Sequence, residues 1–146
     1  MAHLPSDFLG AWSLVDWRVE YEDGGVTRPF GTDATGYILY TAEGIMAATI
    51  TKAGRLALDV TNPRVAGDSA KGAAFDSYFN YAGAWRIEGD TVVHSVTMAL
   101  NPNMTGTEQP RLATFDGKGG LTLSAEEKRA NGKSRSHIIQ WRRINP

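Results

Sequence analysis

Three side chains of this sequence, His94, Arg111 and Tyr40, are suited to proton and charge chemistry. His94 sits in TVVHSVTM (91–98), an apolar run where a titratable ring is either a core residue satisfied by one hydrogen bond or a working group. Burial disfavours imidazolium, so a buried His94 stays neutral and can accept a proton from a carbon acid or hydroxyl. An inward Arg111 needs an anion or a ring face. Its planar fork can hold a carboxylate or enolate, or stack on a tryptophan. Tyr40 and Tyr81 can each donate to a ligand carbonyl, or be core aromatics with a wet hydroxyl. Gln109 can position a ligand or satisfy a strand end. Trp85 and Trp141 are large apolar walls first and stacking planes second.

Other chemistries find little support. The chain has no cysteine, which removes disulfides, thiolates and cysteine zinc sites. His3, His94 and His137 are the only histidines and none is at helical ligand spacing from another, so a metal is not expected, though carboxylates could still build a site; no cofactor is expected either. No serine lies in a strained elbow motif. Gly24-Gly25 and the GKGG at 117–120 read as hairpin glycines, because neither follows a strand to open a helix. The net charge is -1, and the one basic stretch, KRANGKSR (128–135), reads as a hairpin tip, so no nucleic-acid partner is expected. MAHLPSDF lacks the basic and apolar segments of a signal peptide, and nothing approaches the ~20 apolar residues of a membrane span. A cytoplasmic protein without membrane association is the expectation. A dimer through a barrel face is compatible with the sequence, though no feature demands it.

The elements that must position these groups are short. Aromatic and β-branched runs alternate with Gly, Asp and Asn, which predicts an all-β chain. With 146 residues, a single domain over 1–146 is expected. Strands are predicted near 10–20, 35–41, 45–51, 81–88, 91–98, 109–115, 120–125 and 135–143. One interval, 52–80, lacks alternation. There Asp68 or Ser69 can cap a helix whose face carries Ala74, Phe75, Tyr78 and Phe79. Eight antiparallel strands with one short helix capping them make a small closed barrel, which can hold one ligand.

Turn chemistry then sets the facing. If Gly89-Asp90 is a two-residue turn, Ile87 meets Val92, Trp85 meets His94, Gly83 meets Val96 and Tyr81 meets Met98, all on one inward face. With AEG (42–44) as a loop, Tyr40 pairs with Met46, Ile38 with Ala48 and Gly36 with Ile50. Alternation places Gln109, Arg111, Ala113 and Phe115 inward, and His137, Ile139 and Trp141 likewise. The predicted cavity is mostly apolar, with Trp85, Tyr81, Met46, Ala48, Met98, Gln109 and Trp141 as ligand contacts around His94, Arg111 and Tyr40. Sparse polar groups in an apolar cavity are what a small-molecule site looks like. The direction of Asp16 and Arg18 is left open by the pattern.

GAW (10–12), RPFG (28–31), GYILYTAEGIMAA (36–48), AAFDSYFNYAGAWRIEGDTVVHSV (73–96), PNMTGTEQPR (102–111) and WRR (141–143) together resemble the bacterial and fungal lipocalin-like domain family, over roughly residues 8 to 143. The resemblance implies a lipocalin-like barrel, with the Trp of GAW plugging one end and Arg142 or Arg143 closed over it. The wider superfamily it implies consists mainly of carriers of apolar ligands, with occasional cofactor-free isomerases and cyclases. Three readings follow, the third and weakest a protein-interaction barrel with a collapsed interior, no cavity and no ligand. The first is a binding module for a small apolar or amphipathic molecule, covered by the 68–80 helix. The second is a cofactor-independent isomerase, cyclase, lyase or hydratase on a small carbonyl or polyketide-like substrate. There His94 is the acid/base, and Arg111 with Tyr40 stabilises oxyanion charge.

Overall fold

The computed structural model describes residues 2–145, so Met1 and Pro146, at the ends of the expected 1–146 domain, lie outside it. The alternating runs form β1 (Gly10–Tyr21), β2 (Val26–Thr27), β3 (Thr35–Tyr40), β4 (Ile45–Thr51), β5 (Tyr78–Glu88), β6 (Thr91–Ala99), β7 (Glu108–Phe115), β8 (Gly120–Lys128) and β9 (Ser134–Arg143). Two helices accompany them, α1 (Pro5–Phe8) and α2 (Asp68–Asp76). β2 is a two-residue ribbon on β1. The other strands run antiparallel in the order β1-β3-β4-β5-β6-β7-β8-β9, and β9 pairs back onto β1. The result is the closed eight-stranded barrel with a short helix that the turn spacing predicts.

Both solved hairpins form with the expected partners near their turns. Tyr40 faces Met46, Ile38 faces Ala48 and Gly36 faces Ile50. Ile87 faces Val92, Trp85 faces His94 and Gly83 faces Val96. Beyond Gly83 the register shifts. Thr97 is the extra residue, so Met98 pairs with Ala82 and Tyr81 with Ala99. Met98 therefore leaves the interior and is 62% exposed, which corrects its inward assignment. A bulge inverts the parity of every residue beyond it. Gly83 permits this one, because a Cβ there would lie 1.9 Å from the Ser95 carbonyl oxygen.

A second irregularity, at Val15 in β1, settles the first strand. Trp12 and Leu14 point inward before it, and Trp17 and Val19 after it. Asp16 and Arg18 consequently lie on the outer surface, where Arg18 pairs with Asp16 and Glu20, and Arg28 reaches Asp16 at 2.9 Å.

The interval 52–80 holds a shorter helix than the apolar spacing suggests. α2 starts after Gly67, with no side-chain cap, and ends at Asp76. Tyr78 and Phe79 are instead the first residues of β5, held by ladder pairing to Thr51 and Ile50. Phe79 faces inward, while the Tyr78 hydroxyl meets Thr49 Oγ1. Phe75 stays exposed.

The two barrel ends differ. At one, α1 inserts the fully buried Phe8 beneath Tyr40, Trp85 and Phe115, with ring centroids 5.4, 5.8 and 5.0 Å away. Trp12 Nε1 donates to the Phe8 carbonyl at 2.9 Å, and the Arg143 guanidinium lies 4.2 Å over the Trp12 ring while donating to the Asp7 and Leu9 carbonyls. Arg143 thus closes this end. At the other end, Phe30 from the β2–β3 connection rests on Trp17 at 5.0 Å.

Candidate functional site

Aromatic rings run through the barrel from mouth to plug. Trp17 meets Phe79 at 5.8 Å, Phe79 meets Tyr81 at 5.6 Å, Tyr81 meets His94 at 5.6 Å, His94 meets Tyr40 at 5.6 Å, and Tyr40 meets Trp85 at 4.9 Å. Alternation on β3, β5 and β6 brings the middle three together. His94 is 1% exposed, and both its nitrogens are engaged: Nε2 with the Tyr40 hydroxyl at 2.7 Å, Nδ1 with the Tyr81 hydroxyl at 2.6 Å. A buried polar group so satisfied carries little desolvation penalty.

The electrostatics keep this triad neutral. Burial, assisted by the Arg111 charge, pushes the His94 imidazole down to about 3. Burial also raises both tyrosine hydroxyls, Tyr40 well above its ordinary range, with the neighbouring Tyr81 adding to it. A histidine held that low is a weak proton acceptor at neutral pH, but remains a good hydrogen-bonding partner.

A cavity lies where β7 and β8 separate. Their ladder covers only Leu112–Phe115 against Leu121–Ser124; beyond it, β7 stays with β6 and β8 with β9. The strands part around a cavity of about 790 Å³, lined by Trp17, Phe79, Met104, Leu123 and Ile139 and by the polar Gln109, Arg111, Glu126, Glu127 and His137. That volume lies in the ~300–1,000 Å³ range of small-molecule sites. Gln109 is the cross-strand partner of His94, and His94, Tyr40 and Tyr81 are not themselves among the lining residues. Arg111 donates to its neighbours' Pro110 carbonyl and Gln109 Oε1, at 2.9 and 3.2 Å. Among the described residues no carboxylate lies within ion-pairing reach of it. A half-buried cation with no carboxylate in ion-pairing reach, on the wall of a cavity of mixed polarity, suits an anion or a carbonyl oxygen.

This geometry now meets a sequence match. The profile of the lipocalin-like domain family fits residues 9–144, nearly the whole chain. The chain belongs to that family. No curated protein matches it. Among solved structures, a redesigned β barrel has 11% identity over 99% of this chain and 98% of that one, with a TM-score of 0.46. That similarity is too low to inform the site.

In this lipocalin-like barrel the predicted residues divide into four groups. His94, Tyr40 and Tyr81 form the buried triad. Gln109 and Arg111 line the cavity. Met46, Ala48 and Trp141 are buried in the barrel wall, and Trp85 lies toward the plug, its Nε1 donating to the Thr41 carbonyl at 3.1 Å. Met98 is outside. Sequence reasoning missed Trp17, Phe79, Phe30 and Phe8. The RPFG motif carried a signal for Phe30; Trp17 was hidden by the bulge at Val15. Among the described residues no cluster of three His, Cys, Asp or Glu could hold a metal ion, and no helix is long and apolar enough to cross a membrane.

Proposed function

We propose that this lipocalin-like protein acts as a single domain that binds a small apolar or amphipathic organic molecule in its barrel. The apolar body lies against Trp17, Phe79, Leu123 and Ile139, and the polar end turns to Arg111 and Gln109. The lack of cysteine suits work in the reducing cytoplasm. The observation that carries the reading is Arg111, without an ion-pair partner, on the wall of a roomy cavity that also exposes Trp17, Phe79, Leu123 and Ile139. Area burial at ~25 cal/mol per Å² drives association, and the cation orients the ligand.

Two dyes of one shape test this. Anilinonaphthalene sulfonate carries an anionic group; N-phenyl-1-naphthylamine does not. Both are expected to bind saturably, read by dye emission and tryptophan quenching. Arg111→Met should weaken the sulfonate by roughly tenfold or more, the worth of a charge-assisted contact, and leave the neutral dye unchanged. Failure of both dyes to saturate rejects the pocket.

Turnover of the bound molecule is a second reading, and one observation favours it. Because each His94 nitrogen meets a tyrosine hydroxyl, a proton can enter at one tyrosine and leave at the other without net charge. Cofactor-free isomerisation of a small carbonyl compound needs such a shift. The weak basicity of His94 counts against its acting as a free base. Deuterium uptake at the α-carbon of a bound ketone in heavy water separates the readings: a carrier adds none above the protein-free rate.

A further inference from the structure

We infer that the ligand is polar at both ends: a carboxylate or carbonyl oxygen at Arg111 and, beyond an apolar stretch, a hydroxyl that donates to His137. The inference rests on the binding reading above and narrows the class of molecule bound. Arg111 and His137 line the same cavity from different strands, β7 and β9. The register places them. The β7–β8 ladder ends at Leu112↔Ser124, so Ala125 is the β8 residue level with Arg111, and Ala125 pairs with His137. Arg111, Ala125 and His137 are each two residues from a core residue of their own strand, Ala113, Leu123 and Ile139, and so share its inward face.

Two strand spacings, about 10 Å, separate the backbones of Arg111 and His137, and more where β7 and β8 part. The wall between them is apolar. Ala125 offers only a methyl group, and Leu123 and Ile139 lie one row deeper. A ligand polar at one end alone would press hydrocarbon against one of the two polar side chains.

The two ends make opposite demands. Arg111 uses two of its five N–H groups, on the Pro110 carbonyl and Gln109 Oε1, and the rest can only donate. That end calls for an acceptor. At the other end Glu127 sets the state of the histidine. Arg135 grips the Glu127 carboxylate at 2.8 and 3.3 Å and holds it below the usual carboxylate range. An ionised carboxylate only accepts, so His137 Nε2 donates to Glu127 Oε2, at 3.2 Å. In the neutral ring Nδ1 is then bare, and among the described residues it has no partner. The His137 side chain is 31% exposed, so a ligand can reach it. Nδ1 calls for a donor. An acceptor at one end, a donor at the other and hydrocarbon between describe an extended hydroxy acid or hydroxy ketone.

Three acids with one chain test the inference by calorimetry in mildly alkaline buffer: dodecanoate, ω-hydroxydodecanoate and ω-methoxydodecanoate. The hydroxy acid should bind at least as tightly as dodecanoate and ~tenfold more tightly than the methoxy acid, whose ether oxygen meets Nδ1 without a proton. His137→Phe should bring the hydroxy acid down to the methoxy acid and leave dodecanoate unchanged. In the wild-type protein the nitrogen-15 signal of His137 Nδ1 should move with the hydroxy acid and stay still with dodecanoate. A methoxy acid that binds as well as the hydroxy acid, or an Nδ1 signal indifferent to the hydroxyl, overturns the inference and leaves the pocket standing. Binding of none of the three overturns the pocket as well.

Discussion

Acidification should destabilise this barrel through His94 before its carboxylates matter. His94 falls from an ordinary 6.5 to about 3 on folding, because burial opposes the charge. Between those values the unfolded chain binds a proton that the folded chain refuses. Stability therefore falls as pH drops from about 6.5 toward 3, at up to ~1.4 kcal/mol per pH unit. From pH 7 to pH 5 the unfolded chain is titrating over roughly 1.5 units, so the loss is about 2 kcal/mol, or a melting point lower by some ~6 °C. The carboxylates with lowered values, Asp16, Glu108, Asp116 and Glu127, lose their contribution only as pH falls below the ordinary carboxylate range near 4. Urea denaturation followed by tryptophan emission, at pH 7 and pH 5, on wild type and His94→Gln, isolates the effect. A glutamine side chain does not titrate, so the stability advantage of wild type should shrink by about 2 kcal/mol between the two pH values. An advantage equal at both pH values refutes the reasoning, since His94 would then gain its proton as easily folded as unfolded.

Other outcomes follow from single contacts. Gly83→Ala places a Cβ against the Ser95 carbonyl and should destabilise by ~3 kcal/mol or more, read as a lower urea midpoint. Phe8→Ala empties the plugged end and should lose ~3–5 kcal/mol, with Trp85 emission shifted to the red as water enters. Tyr40→Phe leaves His94 Nε2 without its buried hydrogen-bond partner. It should lose ~1–3 kcal/mol of stability in thermal melts.

What was legible in the sequence was local. The Gly89-Asp90 turn and strict alternation determine the facing of Trp85 and His94, because a tight turn leaves one register. Tyr40 and Met46 follow in the same way. Errors begin where alternation breaks. Met98 lies beyond the bulge at Thr97, and only Gly83, a glycine within a strand, hinted at so close a backbone approach. Phe75, Tyr78 and Phe79 mimic a helical face, yet the ladder to Ile50 and Thr51 wins the last two for β5. Phe8 sits in a four-residue helix, too short to show a period. The Tyr40–His94–Tyr81 contact joins three strands, and no local pattern shows that two hydroxyls converge on one ring.

The seam that closes the barrel has a consequence for how the chain is made. β1 pairs with β9 from Trp12↔Arg143 to Tyr21↔Arg135, joining segments from opposite ends of the sequence. During synthesis, β1 waits with its outer edge unpaired until the last strand leaves the ribosome. Until then the sheet is open, its edges can pair with other chains, and the aromatic interior is wet. Closure is thus a late, long-range step, and folding should be slow for a chain of this length. Losing β9 leaves an aggregation-prone sheet in place of a smaller barrel.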